Sequence, residues 1–423
     1  MKRKILLKNG NVVGLEPLKI EVVDLLVQEG RVVERRQGIR ADAETEILDC
    51  RGRFILPGFV DAHAELHLSQ SLGLPPGSLG EVEGDPLQRD RRIRAAVEGA
   101  HTPETLVTAA FAGALEAVRN GTTAVIDLHH APGASADSLA LVRDVLLTVG
   151  LRAVVSFRSE PGDDGLEGNA AFAQENRSDT IAGLVSLTAE RVLDAESLRT
   201  AAARVAEDGA RLLVALESAD STNRAVSALE AAGLLGPQTL VTRAVGLDEA
   251  AREKLVATGT WLIHCPSVDA REGLPQLELP SLGEMVSLGS GSSRSDVLGE
   301  ARLAFYRARG QGLRVSAEDV LRLVVGGQQL ASELLQVELG STRRDAGADF
   351  TIFKYHPRTP IRTDNLADHI LFGLGVQHVE TVMIDGALVY RDGRFPDVDT
   401  RHLAPLMRRG ARQLWEALGS GTA

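Results

Sequence analysis

Histidine and carboxylate side chains recur in this chain just past short apolar runs, where they could hold a metal ion or move a proton. The densest case is the stretch 56–67, LPGFVDAHAELH. Pro57-Gly58 marks a turn, and Phe59-Val60 begins a run fit for a buried strand. His63, Glu65 and His67 follow at spacings of two. Imidazole and carboxylate are both ligands for Zn²⁺ or Fe²⁺. His129-His130 lie beyond Val125-Ile126-Asp127, and His264 follows Trp261-Leu262-Ile263. A catalytic ion of this kind needs about three protein ligands and one open position for water. The sequence therefore poses a counting question: can enough donors meet?

Donors at strand ends meet only if the strands lie side by side. Between about 58 and 344, helical stretches alternate with short apolar runs. Residues 105–120 have helical periodicity before Gly121, and Thr122–Asp127 reads as a strand. Residues 139–149, 198–208, 224–233 and 249–258 read as helices. They lead to runs at 152–156, 211–216, 239–241 and 261–263, with a last run at 286–289. Such alternation implies a parallel sheet with crossover helices. The expected class is α/β, with a TIM-type (β/α)8 barrel over 58–344, which puts its chemistry at the C-terminal ends of its strands. An open doubly wound sheet is disfavoured, because no Gly-x-Gly-x-x-Gly turn follows an early strand.

Both chain ends read as strands and tight turns. Asn9-Gly10-Asn11 and Gly30 are hairpin signals at one end. Runs at 348–353 and 379–384, and a turn at Asp385-Gly386, stand at the other. The economical reading is a small composite β-sandwich from 1–57 together with 345–398. The tail, 399–423, holds an amphipathic helix packing on the body through Leu403, Leu406, Met407, Leu414 and Trp415. Residues 69–100 are polar and contain Gly and Pro, and read as a long loop or lid over the barrel mouth.

The 423 residues are 44% hydrophobic, enough for a large core. A formal charge of −12 and a pI near 5.4 speak against nucleic acid as a partner. No apolar run reaches the ~18 residues that span a bilayer. The basic start followed by Ile5-Leu6-Leu7 ends too early for a signal segment. Cys50 and Cys265 do not make a disulfide framework. A cytoplasmic location is the expectation.

The string LPGFVDAH, the sandwich strings Gly347-Ala348-Asp349 and DNLADHILFG (364–373), and the run Glu300–Phe305 resemble the amidohydrolase superfamily, in its branch of chlorohydrolases and ring deaminases. The resemblance implies the same barrel and sandwich, and a divalent metal held by His-x-His on the first barrel strand. Here that motif is His63-Ala64-Glu65. On the fifth strand the family has His-x-Ala-Glu, with a ligand and a proton carrier. This chain has Val214-Ala215-Leu216-Glu217. On the sixth, Arg243 stands where the family has a histidine, and a guanidinium cannot ligate. On the last, Leu288-Gly289-Ser290-Gly291 lacks the family's aspartate. His264-Cys265-Pro266 matches the family's His-Asn-Pro.

Read this way, the pocket is His63, Glu65, His67, Glu217, Arg243, His264 and Ser290. If an ion is present, His63 and Glu65 hold it. The expectation is then a pseudoenzyme without a metal cofactor and with a vestigial Glu217, serving as a binding or partner subunit in a homo-oligomer or mixed assembly. The alternative is an active hydrolase of non-peptide C–N bonds with an altered site, using Zn or Fe. Buried carboxylates without a dication are costly. Arg243 is therefore expected to sit in the ion's place, paired with Glu65, Glu217 or both.

Overall fold

The computed structural model describes residues 4–74, 86–134, 137–274, 277, 279, 283–292 and 294–419. The first strands are β1 (Ile5–Leu15), β2 (Leu18–Gln28), β3 (Arg31–Arg36), β4 (Glu46–Asp49) and β5 (Phe54–Pro57). Nine short strands follow: β6 (Phe59–Ala64), β7 (Thr122–His129), β8 (Arg152–Phe157), β9 (Ile181–Gly183), β10 (Val185–Thr188), β11 (Leu212–Ala215), β12 (Thr239–Thr242), β13 (Trp261–His264) and β14 (Val286–Leu288). The last three are β15 (Phe350–Phe353), β16 (Val379–Ile384) and β17 (Ala387–Arg391).

Strands from both chain ends share one sheet, in the order β17-β16-β15-β5-β1-β2-β3, with β4 beside β1. The join is β15 against β5, antiparallel, pairing Phe350 with Pro57 and Phe353 with Phe54. Pro57-Gly58 then turns the chain directly into β6. One expectation needs correcting. Asn9-Gly10-Asn11 is not a hairpin turn, because β1 runs straight through it with a register shift between Leu7 and Gly10. Gly10 is required there for close packing: a Cβ would lie 2.4 Å from Ile55 Cδ1. At Glu29-Gly30, with φ of 52° and 78°, the expected hairpin does form.

β6 to β14 are parallel and make the TIM barrel. They fall into the runs β6-β7-β8-β9 and β10-β11-β12-β13-β14. Leu184 alone separates β9 from β10. A parallel bridge between Ala64 and Gly291 closes the other seam, from just beyond β14 back to β6. The strands are largely apolar and almost entirely buried, as a barrel core requires. Helices cover them, among them α2 (Pro103–Arg119), which starts at a Thr102 capping box and ends at Asn120.

The segment 69–100 is not one long loop. A 3₁₀ turn spans Leu66–Ser71, and a helix, α1, spans Pro86–Ala100. The part of that expectation falling on 75–85 lies outside the described residues. Ile93, Ala96, Val97 and Ala100 of α1 pack with Leu68, Leu74, Leu414, Trp415 and Leu418. Those last three belong to the C-terminal helix Thr400–Ala417 and the residue after it, so the tail holds α1 down. Cys50 and Cys265 are buried free thiols. No helix among the described residues is long and apolar enough to cross a membrane.

Candidate active site

The chemistry-bearing side chains stand at the C-terminal ends of the barrel strands. His63 is the fifth residue of β6, and Glu65 follows that strand. Glu217 lies two residues past β11, Arg243 directly past β12, His264 at the end of β13 and Ser290 two residues past β14. The register makes neighbours of them, because β11 to β14 pair in parallel without slippage. β14 meets β6 through backbone bonds: Gly291 N donates to His63 O at 2.7 Å, and Glu65 N donates to Gly291 O at 3.0 Å.

Three of these residues converge. Donor atoms of His63, Glu65 and Glu217 all lie within 4.8 Å of one another. Glu217 thus joins the two donors expected from sequence, which reaches the three-ligand threshold. His63 is fully buried, and neither ring nitrogen has a hydrogen-bond partner among the described residues. Burial holds its pKa down to about 4, so the ring is a neutral donor. An unpartnered buried imidazole is costly, and a cation at this point would relieve it. Glu65 is also buried, and burial raises its pKa. Burial pushes Glu217 the same way, but Arg94, Arg158 and Arg243 outweigh it and hold that carboxyl below its ordinary range. The Glu217 side chain keeps 28% of its surface exposed, facing solvent at the mouth.

The expected position of Arg243 is wrong. Its Nη2 donates to Glu272 Oε2 at 2.7 Å and to Asp269 Oδ1 at 3.2 Å, beside the helix Pro266–Arg271. Arg243 and Ala244 both adopt positive φ, 65° and 49°. This is an uncommon conformation for residues with a Cβ and marks a constrained turn. The guanidinium between the carboxylates belongs instead to Arg94, from α1. Its Nη2 donates to Glu65 Oε1 and lies 3.3 Å from Glu217 Oε1, while its Nε donates to Glu98 Oε1 at 3.0 Å.

The remaining expected residues sit one layer away. Ser290 donates from Oγ to Asp61 Oδ2 at 2.6 Å and from its amide to Asp61 Oδ1 at 2.9 Å, which fixes the β14–β6 seam. His264 Nδ1 lies 3.5 Å from Asp269 Oδ2. His67 Nε2 lies 3.5 Å from Glu98 Oε1, and burial brings this ring down to about 3. His129 Nδ1 is 3.0 Å from Asp127 Oδ2, while Asp127 Oδ1 accepts the Leu66 amide at 3.1 Å. His130 joins Glu98 at 3.3 Å. Glu98 also accepts both terminal nitrogens of Arg158, at 3.1 and 2.7 Å. Sequence reasoning missed Arg94, Glu98, Arg158, Asp269 and Glu272. The Arg94/Glu98 spacing of four was the visible signal for the first two, but a solvated helix pair reads identically.

The amidohydrolase family model matches residues 54–389. A relative named 5-methylthioadenosine/S-adenosylhomocysteine deaminase, from Thermococcus kodakarensis, is 25% identical over 91% of this chain and 93% of its own length. An 8-oxoguanine deaminase from Pseudomonas aeruginosa is 26% identical over 92% and 94%. Among solved structures, an adenosine deaminase from Xanthomonas campestris with bound zinc superposes with a TM-score of 0.82 at 18% identity, covering 97% of this chain and 98% of that one. An atrazine chlorohydrolase from Arthrobacter aurescens complexed with zinc gives 0.80 at 18%, covering 96% and 100%. These relatives overturn the expectation of a non-catalytic subunit. Proteins similar along nine-tenths of the chain are named as deaminases.

Proposed function

The chain belongs to the amidohydrolase family, and from that premise we propose that it is a hydrolase of non-peptide C–N bonds, removing an amino group from an amidine-type carbon of a nitrogen heterocycle. The substrate class follows the names of its relatives, which act on methylthioadenosine, S-adenosylhomocysteine and 8-oxoguanine. The observation that carries the reading is the meeting of His63, Glu65 and Glu217 at the barrel mouth, with the His63 ring otherwise unpartnered. One imidazole and two carboxylates suit a divalent cation, and these three residues would hold it. Bound there, a divalent ion would supply an attacking water of lowered pKa.

The protein's own groups do the rest. Glu217 is ionised and faces the mouth, so it can take the proton of the attacking water and return it to the departing ammonia. Asp127 holds His129 by Nδ1, fixing that ring's orientation beside the site. Ser290 and Asp61 keep β6 and β14 in register, so that His63 and Glu65 stay together.

The test is ammonia release from a panel of aminopurine bases and nucleosides, with Zn²⁺, Mn²⁺ or Fe²⁺ supplied. Turnover should require the ion and vanish in His63→Ala. It should fall about 100-fold or more in kcat for Glu217→Gln, which loses both a carboxylate that would hold the ion and the proton carrier. Ammonia release that a chelator and Glu217→Gln both leave untouched would sink the reading.

A further inference from the structure

Arg94 and a divalent ion cannot both occupy the space between Glu65 and Glu217. The guanidinium lies against both carboxylates. It gives them a counter-charge, but no hydrogen bond reaches either nitrogen of the His63 ring among the described residues, and the unprotonated nitrogen of that neutral imidazole is left able to accept a Lewis acid. A dication at the same point would serve all three side chains. Arg94 has somewhere to go, because its Nε already donates to Glu98 one helical turn along. Glu98 is pinned in turn by Arg158 and flanked by His67 and His130. Leaving Glu65 and Glu217 therefore need not strand a buried charge.

We propose that Arg94 is a resident counter-cation that competes with the metal for Glu65 and Glu217, and so sets the ion affinity of the site. The proposal rests on the reading that His63, Glu65 and Glu217 hold a divalent ion. With Arg94 in place both carboxylates have a counter-charge without metal. Loading requires the guanidinium to withdraw toward Glu98, and the apparent affinity falls by the fraction of molecules in which it has not done so. A site of this kind takes up its ion only when free metal is plentiful. The anchoring of α1 by Trp415, Leu414 and Leu418 keeps the competitor aimed at the mouth.

The experiment is calorimetric titration of the purified, chelator-stripped full chain with Zn²⁺, repeated with Mn²⁺. Arg94→Met should bind one ion about tenfold or more tightly than the native chain. Methylguanidinium should compete with the ion in that variant, and the added His63→Ala change should abolish the gain. Arg94→Lys keeps the charge and the helix contacts but loses the fork that spans two carboxylates. It should fall between the two, and it serves if Arg94→Met does not fold. Equal or weaker binding in both variants, with native binding still lost in His63→Ala, would overturn the competition and leave the metal site standing. Absence of binding in every folded form would overturn the metal site itself, and the competition with it.

Discussion

Glu300 shows at one residue what an unpaired carboxyl costs in this interior. It is 5% exposed, and its Oε2 accepts the Ser267 amide at 2.9 Å. Burial raises its pKa to about 8 against the help of Ser267, and Asp61 and Asp296 push the same way. The sign follows from proton counting. Between pH 4.5 and about 8 the unfolded chain has released this proton and the folded chain keeps it, so stability drains away as pH rises through that window. Glu300→Gln keeps an acceptor for Ser267 and removes the ionisation. It should stabilise the protein at pH 8 by about 1–3 kcal/mol, with little effect at pH 5. Urea denaturation at the two pH values measures this, and an equal shift at both would refute the assignment. Glu217 escapes the same penalty because Arg94, Arg158 and Arg243 outweigh its burial, whereas burial still raises Glu65 with Arg94 against it. The placement of Glu65 and Glu217 was legible in sequence, since a residue just past a barrel strand must reach the mouth. The identity of their counter-ion was not, because it arrives from outside the strand pattern.

Elements were legible where periodicity was strong. The expected 105–120 helix is Pro103–Arg119, and the tail helix is Thr400–Ala417. α1 was not seen because Pro75-Pro76-Gly77, Gly80 and Gly84 dominate the stretch before it, and its outer face carries Arg91 and Arg92. What makes it a fixed element is tertiary, the apolar contact with the C-terminal helix. The helix Ala317–Leu335 carries the opposite lesson. Gly326 and Gly327 weaken a helix by propensity, yet they are there so that it can lie against β14 and β6. A Cβ on Gly326 would stand 2.0 Å from the Val286 carbonyl oxygen. Gly326→Ala should therefore cost about 1–3 kcal/mol by overpacking against backbone, despite alanine's better propensity. Gly310→Ala, at the end of the helix Val297–Gly310 with nothing within 4 Å, is the control and should cost nothing. Equal effects in the two variants would show that the helix does not sit as close to β14 as described.

At the scale of the whole molecule, the barrel and the sheet built from both chain ends are joined by a buried ion pair at the end of the barrel away from the site. Arg152 opens β8 and is 1% exposed. Its Nε donates to Asp349 Oδ1 at 2.9 Å, and its Nη2 donates to Asp349 Oδ2 at 3.0 Å and to Asp385 Oδ1 at 3.1 Å. Asp349 directly precedes β15, and Asp385 lies in the turn between β16 and β17, so one barrel guanidinium holds two points of that sheet. Burial raises the Asp349 pKa even with Arg152 beside it, which shows how poor the site is for a lone carboxylate. Arg152→Met should destabilise the chain by about 3–5 kcal/mol, the usual cost of leaving one member of a buried pair alone. Adding Asp349→Asn should recover a large part of that loss, because the stranded charge goes with it. The metal affinity of the folded protein should stay within about twofold throughout, since the bottom of a barrel serves stability and the top serves chemistry. Denaturant unfolding and ion titration on the same three proteins separate the two effects. A double variant no more stable than Arg152→Met would mean that the lost fork geometry, rather than the stranded carboxylate, carries the cost.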